Sequence, residues 1–150
     1  MALQVLYQLD INKQNTSQAF DQSQKYYPIK EGNGFAKQIV LGVIEHYKEI
    51  DQLIKGYSKN WRMDRMTVID RNIIRMATFE LLCCKDIPPK VTINEAIDLG
   101  KRFGSEDSGS FINGLLDRIQ NDAVHKPLQP THDEPRKPRL AEGIKRNTIK

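Results

Sequence analysis

The sequence predicts an all-α protein: a compact bundle of about six or seven helices over residues 1–122, followed by a disordered, Pro-rich basic tail over residues 123–150. Three observations lead there. Apolar residues recur every three to four positions in successive stretches; no stretch alternates apolar and polar residues over the length of a strand; and the periodic stretches are separated by capping residues, prolines and glycines.

The elements follow in order. Ala2, Val5, Leu6 and Leu9 fall at i, i+3, i+4 and i+7, which predicts a helix over residues 2–10. Residues 12–33 are polar and rich in Gln, Asn and Ser; they allow a short helix around 16–25 and then a turn at Gly32-Asn33-Gly34. Phe35, Ile39, Val43, Tyr47, Ile50 and Ile54 keep a helical stripe to about Tyr57. Gly42 lies inside it and costs about 1 kcal/mol relative to Ala, so it marks either a close helix approach or a break. Ser58-Lys59-Asn60 ends the run, and Trp61 is expected to cover the edge of the core.

Thr67 and Asp70 have the spacing of a capping box with a shorter acid. The helix they open carries Ile69, Ile73, Met76 and Ala77 on one face, with Ile74 and Leu81 beside it, so it is the expected central helix. It ends near Cys84, because Pro88-Pro89 bars continuation. Thr92-Ile93-Asn94-Glu95 reads as a second capping box, opening a helix whose apolar face is Ala96, Ile97, Gly100 and Phe103. Gly104 suits a left-handed closing position. Asp107 or Ser108 then caps a last helix carrying Phe111, Ile112, Leu115, Leu116 and Ile119.

Composition excludes several classes. No apolar run approaches the ~18 residues of a membrane span, and the start MALQVLYQLD lacks the basic and small-residue features of a secretion signal. Cys83 and Cys84 are adjacent, read as core and near-core residues, and with the histidines form no metal-ligand spacing. The expectation is a reduced, cytoplasmic protein with no metal, no cofactor and no membrane partner. The tail holds seven Lys and Arg against three Asp and Glu, so it carries the whole net charge of +4 and leaves residues 1–122 neutral. The high pI therefore describes the tail, which is either a solubilising segment or an RNA- or partner-binding arm.

The stretch "GSEDSGSF", residues 104–111, is the one place that resembles chemistry. Asp107-Ser108-Gly109 spells the core of a serine-protease signature, but that site needs a β-barrel and a positioned histidine. Here His46 lies on a helix, read as a surface or boundary residue, and His125 and His132 lie in the tail. Glu106 and Asp107 sit in one polar loop, with nothing to drive their pKa values apart as an acid/base pair requires. Nothing in the sequence supports an enzyme. The loop reads as a helix end and a helix start, with Phe111 either in the core or exposed as a stacking platform.

Three stretches, "ALQVLYQLD" (2–10), "IDRNIIRMATFEL" (69–81) and "PPKVTINEAIDLGKRFGSEDSGSFINGLLDRI" (88–119), resemble in order the NusB family of transcription antitermination factors, across roughly residues 2–121. The resemblance implies two packed helical subdomains. It implies a partner, the small-subunit ribosomal protein that doubles as NusE, with which the family binds boxA RNA of rRNA leader transcripts in the RNA polymerase antitermination complex. By matching position, it implies partner contacts at Tyr7, Asp70 and Asp107 and RNA contacts at Gln4, Lys101, Ser108 and Phe111. Arg75, Asn94, Glu95 and Asn113 are expected to be structural, as caps and inter-helix hydrogen bonds.

Family members usually carry an Arg-rich arm before the first helix, whereas here Met1 directly precedes Ala2. The expectation is that the arm is missing or the start lies upstream, with the basic tail as a substitute RNA contact. Two other readings remain: a protein-interaction module with reduced RNA binding that forms a homodimer, and the similar helical domain that precedes certain rRNA cytosine methyltransferases.

Overall fold

The computed structural model describes residues 2–12, 21, 24–25, 34–58 and 66–123. The expectations for Trp61, for the turn before Gly34, and for the tail beyond Ala123 lie outside them. Of the expected helix at 16–25, residues 21, 24 and 25 are described, and they are helical.

Besides these, six helices are formed among the described residues, with no strand: α1 (Ala2–Ile11), α2 (Gly34–Glu45), α3 (Tyr47–Tyr57), α4 (Val68–Cys83), α5 (Pro89–Phe103) and α6 (Ser108–Ala123). The apolar stripes explain the assembly. Helix α4 touches all five others, α5 and α6 pair as a hairpin, and α6 also reaches α3, where Arg118 Nη1 donates to the Tyr57 carbonyl at 3.0 Å. Helix α4 is thus shared by the three N-terminal helices and the α5–α6 hairpin. Val5, Ile50, Ile54, Ile74, Leu116 and Ile119 are all 0% exposed. Each such side chain contributes about 1.5–3 kcal/mol relative to an exposed one.

Several expectations are corrected. The stripe over residues 35–57 is two helices, and the break is at His46, not Gly42. Gly42 serves close approach: a Cβ there would overlap the Phe79 ring. His46 is a boundary residue as expected, its ring 6.3 Å from that of Phe79. Thr92 does not open α5. The helix starts three residues earlier at Pro89, whose missing N–H needs no partner at a first helical position, and Thr92 N–H already donates to the Pro88 carbonyl. Thr92 is a buried interior residue, 3% exposed.

Gly104 is not left-handed; its φ is −94° and ψ −160°. Glycine stands there because a Cβ would collide with the Ser108 hydroxyl and come within 2.8 Å of Asp70 Oδ1. Cys84 is buried, but Cys83 is exposed. Phe103, placed by periodicity on the apolar face of α5, is 41% exposed because it lies beyond the point where the core ends at Gly100. Asn94, Glu95 and Asn113 lie exposed on α5 and α6.

Candidate functional site

Helix α4 carries its polar residues inward, and they form two assemblies. The first centres on Arg75, 4% exposed. Its guanidinium grips Asp51 of α3 with both arms, Nε to Oδ1 at 2.7 Å and Nη2 to Oδ2 at 2.9 Å. Nη1 donates to Asp10 Oδ2 of α1 at 2.8 Å and to Asn72 Oδ1 at 3.2 Å. Asp10 Oδ2 also accepts from Arg71 Nε at 2.7 Å and from Asn72 Nδ2 at 2.9 Å. The Arg75 guanidinium lies 4.2 Å from the centre of the Tyr47 ring. One arginine on α4 thereby ties down α1 and α3.

The charges follow from this geometry. Burial by itself would raise the Asp10 pKa, but the Arg71 hydrogen bond and the Arg75 charge outweigh it and hold the carboxyl below its ordinary value. Burial would likewise release the Arg75 proton, and the Asp51 hydrogen bond and charge reverse that. The Tyr47 hydroxyl is pushed up to about 12, chiefly by burial, with Arg75 opposing. The assembly is therefore two carboxylates against two guanidiniums, with a neutral phenol beneath.

The second assembly fixes the start of α6. Thr67 caps α4, its Oγ1 accepting from Asp70 N–H at 3.1 Å, which is half of the capping box. The Asp70 carboxylate leaves the box and accepts from Ser108 Oγ at 3.0 Å. That hydroxyl in turn accepts from Ser105 N–H at 2.8 Å. Ser108 is the first helical residue, and the Asp107 carbonyl accepts from Phe111 N–H at 3.1 Å, so Asp107 occupies the cap position. Asp70 Oδ1 is buried without a hydrogen-bond partner.

The residues singled out from the sequence divide accordingly. Gln4, Lys101 and Asp107 are exposed, and Tyr7 and Phe111 are half-buried. Phe111 is neither core nor free platform: it packs against the core and stays partly open. Asp70 and Ser108 are corrected in location. They are 6% and 1% exposed and bond to each other, so neither side chain is offered at a surface. Asp10 and Asp51 carry no sequence signal: their bonds to Arg75 span 65 and 24 residues, and Asn72 reaches Asp10 across 62. Arg75, expected to be structural, is the hub.

Among the described residues, no group of His, Cys, Asp and Glu could hold a metal ion, and no helix is long and apolar enough to cross a membrane. The fold and these two assemblies define an all-helical module held by buried polar contacts. Its buried charges bind helices together, and a braced loop carries an acid at the surface.

The comparisons with known proteins are specific. The NusB family model matches residues 1–121. The chain is 49% identical over 133 residues to transcription antitermination protein NusB of Myxococcus xanthus, covering 84% of this chain and 93% of that protein. It is 43% identical over 129 residues to its counterpart in Pelotomaculum thermopropionicum, covering 85% and 90%. Among solved structures, T. maritima NusB superposes with a TM-score of 0.69 at 36% identity, covering 85% of this chain and 88% of that one. A chain of the crystal structure of antitermination factors NusB and NusE in complex with dsRNA gives 0.67 at 30% identity, covering 80% and 90%. The chain belongs to the NusB family.

Proposed function

We propose that this chain is a transcription antitermination factor that acts without catalysis in the cytoplasm. It pairs with a small-subunit ribosomal protein acting as NusE, and binds boxA-type RNA of rRNA leader transcripts within the RNA polymerase antitermination complex. The observation that carries this reading is the likeness, covering 80% of this chain and 90% of the other, to a chain from the complex of NusB, NusE and dsRNA. Residues 1–122 are the working module, and the tail from 123 is an auxiliary segment.

In this reading Tyr7 and Asp107 meet the partner; exposed acids suit a basic ribosomal protein and repel phosphate. Gln4, Lys101 and Phe111 meet RNA, which is held by cations along its backbone and by aromatic faces against its bases. Asp70 and Ser108 act from inside by fixing the loop that carries Asp107 and leads into Phe111.

The test is calorimetric titration of the full chain with the ribosomal protein, then of the mixture with boxA RNA. A one-to-one complex that binds boxA more tightly than the chain alone is the expected result. A chain that self-associates and takes up neither ligand would overturn the reading.

A further inference from the structure

The last turn of α5 holds an arrangement that none of the above uses. Phe103 exposes 41% of its surface at the end of the helix. The Arg102 guanidinium carbon lies 5.3 Å from the centre of its ring, and Arg102 is itself exposed. Basic residues suit the end of a helix dipole, but that requires no aromatic ring in solvent.

Beside this pair, Lys101 is laid across the first turn of α6. A Cβ at Gly109 would come within 3.3 Å of both Lys101 Cγ and Cε, so the lysine stem lies on the Gly109 backbone, two residues before Phe111. One end of the α5–α6 hairpin therefore offers two cations on consecutive residues, an open aromatic ring and a second, half-open one. Cations interleaved with aromatic faces form the surface that holds an unpaired nucleotide strand: the cations follow the phosphates and the rings take the bases. A guanidinium over an exposed ring is held by only about 0.5–1 kcal/mol, so it can move to a phosphate or stack on an incoming base.

We propose that Arg102 and Phe103 form a second contact for single-stranded RNA, in which Phe103 stacks one base and Arg102 takes the adjoining phosphate. Exposed Glu106 and Asp107 repel phosphate in the loop between the two rings, so the strand runs along Lys101 and Arg102 and not over the loop. The inference rests on the RNA-binding reading above and extends it to residues outside that set.

The experiment measures boxA RNA binding by fluorescence anisotropy for the full chain, in complex with the ribosomal protein, across a salt series. Phe103→Leu keeps an apolar side chain and removes the π face, whereas Phe103→Tyr keeps it. Roughly a tenfold loss is expected for Phe103→Leu, toward the lower end of the range for one stacked base because leucine keeps an apolar contact, with near-normal binding for Phe103→Tyr. Arg102→Gln should reduce the slope of log affinity against log salt by about 0.7, the value for one phosphate on a single strand.

Thermal unfolding of each variant and its affinity for the ribosomal protein serve as controls. If the unaltered chain binds no RNA, the functional reading itself fails. If it binds and Phe103→Leu binds equally well, only this inference fails. Loss of the ribosomal protein without loss of RNA would mean that the corner is a protein contact, and would overturn the proposal as well.

Discussion

Two polar assemblies hang from the same helix and are built to different standards. Around Arg75, three helices meet through charge-assisted hydrogen bonds, and both carboxylates lie against guanidiniums. Around Asp70, a single hydroxyl joins α4 to α6, and one carboxylate oxygen is left buried without a partner. The first arrangement makes the relative position of α1, α3 and α4 expensive to change, since removing one member strands buried charge. The second sets a loop in place through one hydroxyl and leaves its neighbours Ser105, Glu106 and Asp107 in solvent. The bracing network holds an architecture, while the serine latch presents a surface.

That contrast can be broken at Arg75. Arg75→Ala should destabilise the protein by about 3–5 kcal/mol, because Asp10 and Asp51 lose a partner while largely buried. Urea unfolding followed by helical circular dichroism measures this, and a loss below about 1 kcal/mol would mean that the network does not brace the fold. Ser108→Ala should cost less, about 1–3 kcal/mol for a buried carboxylate left without its donor. It should also weaken binding of the ribosomal protein through Asp107, whereas Arg75→Ala should act on binding only through unfolding. If Ser108→Ala lowers stability and leaves that binding intact in the folded fraction, the latch does not position the loop.

Acid and alkali sharpen the contrast further. The folded Asp10 pKa lies below its ordinary value of 3.8, so its contribution is complete above that pH and is lost as pH falls through the folded value. Asp10→Asn should therefore flatten the acid limb of the stability profile below about pH 4. Tyr47 has the opposite sign: its pKa is raised from 10.0 to about 12, so its contribution is present below pH 10 and disappears as pH rises toward 12. Tyr47→Phe should flatten that alkaline limb.

The smallest effect on stability is expected at the loop surface. Asp107→Lys should cost up to about 1 kcal/mol of stability, because the exposed side chain sits at the cap position of α6, where a cation opposes the helix dipole. It should slow association with the ribosomal protein, more so at low salt, as measured by stopped-flow mixing. An association rate that does not depend on this charge would remove Asp107 from the partner surface.

Much of the fold was legible because helical periodicity is local. The stripe Ile69, Ile73, Met76 and Ala77 marked α4 as central, and α4 does touch α1, α2, α3, α5 and α6. The errors came where a local pattern had two solutions. Thr92 to Glu95 fits a capping box, but Pro89 offers an earlier start, and once Thr92 is inside the helix its hydroxyl cannot cap. Phe103 keeps the apolar period of α5 past the end of the core, so periodicity alone assigns it a burial it does not have. Among the candidate site residues, the pattern could locate Asp70, Asp107 and Ser108 on a helix or loop, but not say which way each side chain turns.

Sequence by itself determined the helices, the class and, through three motif stretches, the family, because periodicity and motif spacing are properties of neighbouring residues. Only the tertiary structure decided what the polar residues do. Asp10, Asp51 and Arg75 come from three helices and acquire a role only when those helices meet. The same holds for Gly104, whose reason is not its own backbone angle but the Ser108 hydroxyl and Asp70 carboxylate brought against it by α6 and α4. Burial sets the worth of a hydrogen bond or a charge, and burial depends on contacts between distant parts of the chain.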